Sequence, residues 1–339
     1  MKDGYRVIDI HTHTYTREWI DYMAQRKEEP RFEWTGPTSG VFKVAGGVIA
    51  AHVDHAGDYD IETRLADMDK YGIDIQVITH TSPSVAEVSV GESIEWASRI
   101  NDILAGYCQK YPGRFFFKAT MPFQNIEESL KEIDRAYKVL GAKGIQIFSN
   151  INGKLASSPE FHPIYERAAD YGLSVELHPS NKPLTAGIMK EAGLPLQLYG
   201  FTMDTTMAVT SLLYQGVFEK YPSLKVHHCH LGGMAPYMMG RVDNAFRRFA
   251  KEWDIKLPKP PSEYYKDQVY VDTLSLHVPA MRCALESVGV EHLLFGTDYP
   301  HRASGTPEEN LDALDGMGLT EEEKAKIFEK NAIELFNLK

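Results

Sequence analysis

The sequence predicts a single (β/α)8 barrel, the TIM-barrel architecture, over residues 1–339. Short apolar runs rich in β-branched residues alternate with amphipathic stretches along the whole chain, a pattern typical of parallel strands joined by helices. The number of runs is eight, as a closed barrel requires. The predicted strands are Val7–Ile10, Ile75–Ile78, Phe115–Ala119, Gly144–Phe148, Ser174–Leu177, Lys225–His228, Val269–Val271 and Leu293–Phe295.

An open, doubly wound sheet is the alternative architecture. Such a sheet normally carries a Gly-rich phosphate loop after its first strand. Here the first strand continues into His11-Thr12-His13, and neither GxGxxG nor GxxxxGK[ST] occurs in the sequence. The barrel is therefore favoured.

Residues 14–59 interrupt the alternation directly after the first strand. A segment of this length inside a compact domain is usually functional or disordered, and its many aromatic residues favour order. Because it follows a strand, we expect it to be an insertion that covers the C-terminal face of the barrel as a lid. A second excursion, Pro179–Gly200, follows the fifth strand at the same face.

Composition narrows the class of protein. The chain is 43% hydrophobic and 24% charged, which is ordinary for a soluble globular protein. With 47 acidic and 36 basic residues its net charge is −11, which argues against nucleic acid or an anionic membrane as the main partner. The three cysteines are widely spaced, the N-terminus lacks the apolar region of a signal peptide, and no apolar stretch has membrane-spanning length. These features predict a cytoplasmic protein.

Ligand-type side chains follow several predicted strands. His11 and His13 are two residues apart at a strand end, so both imidazoles should face one space with Cα atoms about 6.5 Å apart. The alternative for this pair alone is two ordinary polar residues at a strand end. However, His178, His230 and Asp298 follow strands five, six and eight, and active sites of barrels lie at the C-terminal face. Imidazoles with a carboxylate suit Zn²⁺, while Fe, Mn or Co would also be accepted.

These motifs resemble those of the amidohydrolase superfamily: HxH after strand one, His after strand five, HxGG after strand six and GTDYP after strand eight. The chain is most similar to the amidohydrolase-2 branch, which includes aminocarboxymuconate-semialdehyde decarboxylases and resorcylate-type aromatic decarboxylases. Arg64–Asp69 and Gly144–Ile147 add to the resemblance. The resemblance implies that His230 is the catalytic histidine. It also implies that the metal ligands are His11, His13, His178 and Asp298.

The fourth strand predicts one metal ion rather than two. Two-metal members of the superfamily carry a carboxylated lysine at the end of this strand, whereas here the strand ends Ile147-Phe148-Ser149-Asn150 and Lys143 lies before it. We therefore expect one divalent ion, Zn²⁺ or alternatively Mn²⁺, and no organic cofactor.

The resemblance also implies a role for Arg241, eleven residues after His230. In the muconate-semialdehyde decarboxylases an arginine at this offset reaches the neighbouring subunit and binds a substrate carboxylate, which implies a homodimer; a solvated helix arginine is the alternative. His301 is expected either to bind substrate or to cap the loop after GTDYP. Strand alternation predicts that His227 faces outward as a structural residue and that His228 points the same way as His230. Less definite candidates for the cavity are His52, His55, His80, Arg17, Arg31 and Lys43.

The predicted reaction is non-oxidative decarboxylation of a small aromatic or enol/muconate-type carboxylic acid. Protonating the carbon that bears the carboxylate gives the equivalent of a β-keto acid, which loses CO₂, and Asp298 or a water relayed by His230 would supply the proton. The same residues would suit a metal-dependent hydrolase of a lactone or amide, or a hydratase. A metal-binding barrel without catalysis is a third possibility, and fold alone does not choose among the three.

Overall fold

The computed structural model describes residues 4–44 and 47–338. Eight of the strands form one parallel sheet with the order β1-β5-β6-β7-β10-β11-β12-β13. Numbered along the chain, the strands are β1 (Ile8–Thr14), β2 (Arg31–Trp34), β3 (Gly40–Val44), β4 (Val48–Val53), β5 (Ile75–His80), β6 (Phe115–Ala119), β7 (Gly144–Phe148), β8 (Asn150–Ile151), β9 (Lys154–Leu155), β10 (Ser174–His178), β11 (Lys225–His228), β12 (Val269–Asp272) and β13 (Leu293–Leu294).

The sheet closes into a barrel between its first and last strands. The amide of Ile10 donates to the carbonyl of Phe295 at 3.0 Å, and Thr12 forms a parallel bridge with Tyr299. The predicted (β/α)8 barrel is therefore confirmed, and all eight predicted runs contribute a strand to it.

Helices follow the barrel strands in the order that the alternation predicts. The long α3, for example, begins at a capping box in which Ser89 and Glu92 satisfy each other's backbone amides. The helices are α1 (Arg17–Gln25), α2 (Ile61–Tyr71), α3 (Val90–Lys110), α4 (Ile126–Arg135), α5 (His162–Tyr171), α6 (Ala186–Glu191), α7 (Gly200–Tyr214), α8 (Val217–Lys220), α9 (Cys229–Gly232), α10 (Ala235–Phe249), α11 (Pro261–Gln268), α12 (Val278–Val288), α13 (Pro307–Asp315), α14 (Glu321–Ala325) and α15 (Asn331–Phe336).

The segment after β1 contains α1 and a three-stranded antiparallel sheet, β2-β3-β4. Its aromatic residues form a core of their own: Phe32 and Phe42 are buried with ring centroids 4.8 Å apart. Trp19 of α1 is also buried and contacts Trp96 of α3 edge to face at 5.3 Å. Apolar burial between α1 and α3 therefore attaches this segment to the barrel.

The cysteines and the helices bear on disulfide bonds and on membrane spans. Cys108, Cys229 and Cys283 are all free thiols. Across residues 4–44 and 47–338, every helix is too short or too polar to cross a lipid bilayer.

Candidate metal centre and its cavity

Four predicted ligands meet at the C-terminal end of the barrel. The Nε2 atoms of His11 and His13 are 3.1 Å apart. Oδ1 of Asp298 lies 3.0 Å from Nε2 of His13 and 3.6 Å from Nε2 of His11. The His178 ring lies 4.5 Å from the His13 ring, centroid to centroid. Ligand atoms about 2.1 Å from a tetrahedral ion are about 3.4 Å apart, so the separations among the ligand atoms of His11, His13 and Asp298 fit one divalent metal ion.

The hydrogen bonds at the site leave ligand atoms without partners. Nδ1 of His178 bonds to the carbonyl of Pro179 at 3.0 Å, so its proton is on Nδ1 and Nε2 carries a lone pair. Nε2 of His178 and Oδ1 of Asp298 are buried and make no hydrogen bond of good geometry, although Oδ1 lies 3.0 Å from Nε2 of His13. Burial also lowers the pKa of His13 to about 3 and that of His178 well below its usual value, so both rings are neutral. Buried lone pairs on neutral rings beside a carboxylate are what a cation requires.

A carboxylate that the sequence analysis missed orients His11. Asp272, at the end of β12, accepts a hydrogen bond from Nδ1 of His11 at 2.7 Å, which leaves Nε2 of that ring as the ligand atom. Burial would raise the pKa of Asp272, but hydrogen bonds from His11 and His227 hold it well below its usual range. Its signal in the sequence was only a single acidic residue after an apolar run.

His230 faces the second oxygen of Asp298. Its Nε2 lies 3.6 Å from Oδ2, whereas His11 and His13 face Oδ1. Ser304 also donates to Oδ2, at 2.7 Å. Burial lowers the pKa of His230, but the approach and the negative charge of Asp298 outweigh burial, so that the pKa is raised. In turn, burial raises the pKa of Asp298 while His13 and His230 hold it well below its usual range.

The two oxygens of Asp298 have different neighbours: Oδ1 faces His11 and His13, whereas Oδ2 faces His230. The donor atoms of His11, His178, His230 and Asp298 nevertheless all lie within 4.8 Å of one another. Distance alone therefore does not separate His230 from the predicted ligands, whereas the oxygen of Asp298 that it faces does.

The predicted directions of two neighbouring histidines are wrong. His227 faces the barrel interior, where Nε2 lies 3.2 Å from Asp272 and Nδ1 lies 3.4 Å from Glu176. His228 faces the helical layer and contacts the hydroxyl of Tyr265 at 3.1 Å. The prediction counted alternate residues backwards from His230, but β11 ends at His228, and His230 has a left-handed backbone with φ of 57°. Alternation does not extend through such a turn.

A cavity of about 650 Å³ opens above the site. His178, His230 and Asp298 form part of its wall, together with His301, whose ring lies 5.2 Å from that of His13. Residues of β4 also line it, which places the segment after β1 beside the site. The residues of β4 and its flank in the wall are Ile49, Ala50, Ala51, His52 and Asp54.

Other candidates from the sequence do not reach the cavity wall. Arg241 is exposed on α10. His80 is buried against the rings of Tyr15 and Trp19, and His55 caps the turn at 56–58. The three cations proposed in the insertion are paired elsewhere: Arg17 with Asp21, and both Arg31 and Lys43 with Glu33.

Comparison with known proteins identifies one family. A family model described as amidohydrolase matches residues 8–338. A 2-amino-3-carboxymuconate-6-semialdehyde decarboxylase of Dictyostelium discoideum is 28% identical, and the match covers 98% of this chain and 91% of the relative. A gamma-resorcylate decarboxylase of a Rhizobium species is also 28% identical, over 82% of this chain and 87% of the relative.

Solved structures agree. A 5-carboxyvanillate decarboxylase of Novosphingobium aromaticivorans, complexed with manganese and 4-hydroxy-3-methoxy-5-nitrobenzoic acid, is 30% identical with a TM-score of 0.84, covering 99% of this chain and 97% of that one. The IDCase of Metarhizium anisopliae has a TM-score of 0.87 at 24% identity, over 98% of this chain and 97% of that one, which supports the fold. The relatives favour the decarboxylase prediction over the hydrolase alternative.

Proposed function

The chain belongs to the amidohydrolase family, and from that premise we propose that it removes CO₂ from a small phenolic or enol carboxylic acid, using one divalent metal ion and no organic cofactor. One observation carries the proposal. A ligand set that fits a metal ion shares Asp298 with His230, which faces the second oxygen of that carboxylate, and both open onto one cavity. Metal binding and proton delivery, the two requirements of this reaction, therefore meet at a single carboxylate.

His11, His13, His178 and Asp298 would hold the metal ion. Three imidazoles and a carboxylate suit Zn²⁺, whereas manganese in a solved relative favours Mn²⁺. Such an ion would supply Lewis-acid chemistry to a substrate that carries a carboxylate. We propose one ion because β7 ends without a lysine, and because the nearby Lys118 of β6 is ion-paired with Glu176 inside the barrel.

His230 is proposed as the proton carrier. Its Nε2 lies 3.6 Å from Oδ2 of Asp298, and its place in the cavity wall exposes the ring to a substrate. The proton goes to the carbon that bears the carboxylate, and the bond from that carbon to the carboxylate then breaks. The electron pair of this bond returns to the ring or enol, and CO₂ leaves. The charge of Asp298 stabilises the protonated His230 before the transfer.

The cavity supports a compact, partly apolar substrate. Its volume lies within the range usual for small-molecule sites. Ile49, Leu198 and Phe201 provide apolar surface, while His301 is proposed as the polar contact that orients a substituent of the ring. A small carboxylic acid with a neighbouring hydroxyl group fits a cavity wall that combines apolar surface with a polar contact.

A screen of products tests the proposal. The metal-loaded protein is incubated with hydroxybenzoates, aminomuconate-type acids and lactones, and CO₂ is measured. We expect CO₂ release from an acid of the first two classes. Hydrolysis of a lactone without CO₂ release would contradict the proposal and favour the hydrolase alternative.

A homodimer in which Arg241 serves the partner's site is the second part of the proposal. Tyr237, one helical turn before Arg241 on α10, is 82% exposed, and Met234 lies a further turn back with 37% exposure. Met203 and Met207 on α7 are also exposed. Exposed apolar side chains on the same helix as an arginine, and on a second helix, are suited to a subunit interface.

Complementation between two inactive variants tests this arrangement. Arg241→Ala and Asp298→Ala are mixed under conditions that allow subunit exchange. Half of the dimers become mixed and each holds one intact site, so about a quarter of all sites should recover activity. A mixture that stays inactive, or a protein that is monomeric at the working concentration, would contradict the proposal.

A further inference from the structure

Asp272 lies beneath the proposed metal site at the end of β12, and both of its oxygens accept several hydrogen bonds. Oδ2 accepts from Nδ1 of His11 at 2.7 Å and from the backbone amide of His230 at 2.9 Å. Nε2 of His227 approaches the same oxygen to 3.2 Å. Oδ1 accepts from the backbone amides of Leu231 at 2.6 Å and Leu274 at 3.1 Å. The side chain is fully buried, so every one of these donors depends on it.

Two of these donors belong to a strained turn. His230 and Leu231 have φ of 57° and 56°, a left-handed conformation that residues with a side chain rarely adopt in succession. Successive amides in such a turn point towards one place and form a site for an anion. The carboxylate of Asp272 fills that site, and the turn it stabilises is the one that presents the His230 ring to Asp298.

We infer that Asp272 is a positioning residue with two tasks: it orients His11 towards the metal ion, and it holds the turn that presents His230. The inference rests on the proposed function for the second task. Asp272 links two strands that are far apart in the sequence, because β1 supplies His11 and the turn follows β11. A single buried carboxylate thereby sets the distance between the metal ligands and the proton carrier.

The neighbouring groups explain how the carboxylate is tolerated. His227 lies between Asp272 and Glu176, and Glu176 is ion-paired with Lys118 in the barrel interior. Asp272 is thus connected to a buried cation through His227 and Glu176. This series of contacts gives His227 a structural role inside the barrel, whereas strand alternation predicted that it faces outward.

The test compares Asp272→Asn with Asp204→Asn. Asparagine keeps the shape of the side chain, but its NH₂ group cannot accept a hydrogen bond, and donors face both oxygens of Asp272. Asp204 is the matched control. It is equally buried and accepts hydrogen bonds from Ser149, Asn150 and the amide of Leu184, so its donors include none of the proposed ligands.

Two quantities are measured on each purified variant. The Kd for Mn²⁺ and for Zn²⁺ is measured by competition with a chromophoric chelator, and kcat and KM are measured at saturating metal. For Asp272→Asn we expect about 10–100-fold weaker metal binding, and a further loss of at least about tenfold in kcat at saturating metal with KM within about twofold. For Asp204→Asn we expect Kd and kcat within about threefold of the wild type, since none of the proposed ligand side chains donates a hydrogen bond to it.

Each result decides one task. An unchanged metal Kd in Asp272→Asn would overturn the orientation of His11, and an unchanged kcat at saturating metal would overturn the hold on His230. Equal losses in Asp204→Asn would show a general effect of buried acids and overturn both. If Asp272→Asn does not fold, Asp272→Glu is measured instead; it keeps two accepting oxygens but displaces them by one methylene, and wild-type values there would overturn the inference. The metal Kd involves no substrate, so failure of the proposed function would appear separately as a wild type that releases no CO₂.

Discussion

The cavity is formed by two regions that differ in character. One is the rim of the barrel, meaning the C-terminal strand ends that carry His11, His178 and Asp298, and the other is the segment after β1. At the rim, His11, His178 and Asp298 are at most 8% exposed, and each side chain makes a hydrogen bond. In the segment, β4 presents Ile49 with 48% of its surface exposed. We therefore propose that the rim holds the chemistry, whereas the segment supplies a more exposed part of the cavity wall. Changes at the rim should abolish the reaction, and changes in the wall should alter which substrate is accepted.

The largest effect is expected when His11 and His13 are both changed to alanine. Loss of two ligands removes the metal ion, so metal content should fall from about one per chain to none, and activity should disappear. Elemental analysis with activity measurements checks this, and His277→Ala, an exposed histidine, is the control. Two metal ions per active chain would contradict the single-metal proposal, and an active chain without metal would contradict the metal site altogether.

His230→Asn separates proton transfer from metal binding. Because His230 faces Oδ2 rather than Oδ1 of Asp298, the metal ion should remain while kcat falls about 10²–10⁴-fold. Metal content and kcat are measured on the same preparation. A kcat near that of the wild type in the metal-loaded variant would show that the role of His230 is wrongly assigned.

Ile49→Ala tests the wall. Removing an apolar side chain that contacts substrate should raise KM about 3–10-fold and leave kcat within about twofold. Val48→Ala is the matched control, since Val48 is 58% exposed on the same strand but does not line the cavity. Steady-state kinetics on both variants distinguish them. If the two variants behave alike, the wall does not contact the substrate.

The smallest effect concerns the attachment of the segment to the barrel. Glu92 of α3 accepts from Tyr22 and pairs with Arg26, both next to or within α1. Burial raises its pKa, but hydrogen bonds from Ser89 and Tyr22 and the charge of Arg26 lower it to about 2. Because the pKa of Glu92 is lower in the folded chain than its unfolded value near 4.5, the ionised carboxylate stabilises the fold at pH values above 4.5. This contribution is lost as the pH falls towards 2.

This pair is partly exposed, so we expect a contribution of about 1 kcal/mol or less. Limited proteolysis of the segment between pH 6 and pH 3 should show increasing cleavage in the wild type. Glu92→Gln should already be cleaved at the faster rate at pH 6 and should change less with pH. A pH dependence that is the same in both proteins would show that Glu92 does not attach the segment.

The rim could be predicted from the sequence to a large extent, and the wall could not. The eight strands are apolar runs, and their ends are marked by chemically unusual residues such as His11, His178 and Asp298. The strands β2, β3 and β4 are short and lack a long alternating pattern, so the sequence indicated order there but no sheet. Residues whose task depends on the tertiary structure, above all Asp272, have no neighbouring motif. His227 was misplaced because its direction was counted across a left-handed turn.

The most direct test of the central proposal follows solvent atoms into the product. An acid that the screen identifies is converted by the metal-loaded protein in D₂O, and in parallel in water enriched in ¹⁸O. Decarboxylation predicts one deuterium at the carbon that carried the carboxylate and no ¹⁸O in the organic product, since the reaction takes a proton and no water. A product that carries ¹⁸O and retains its carboxylate would contradict the proposal and identify a hydrolase or hydratase.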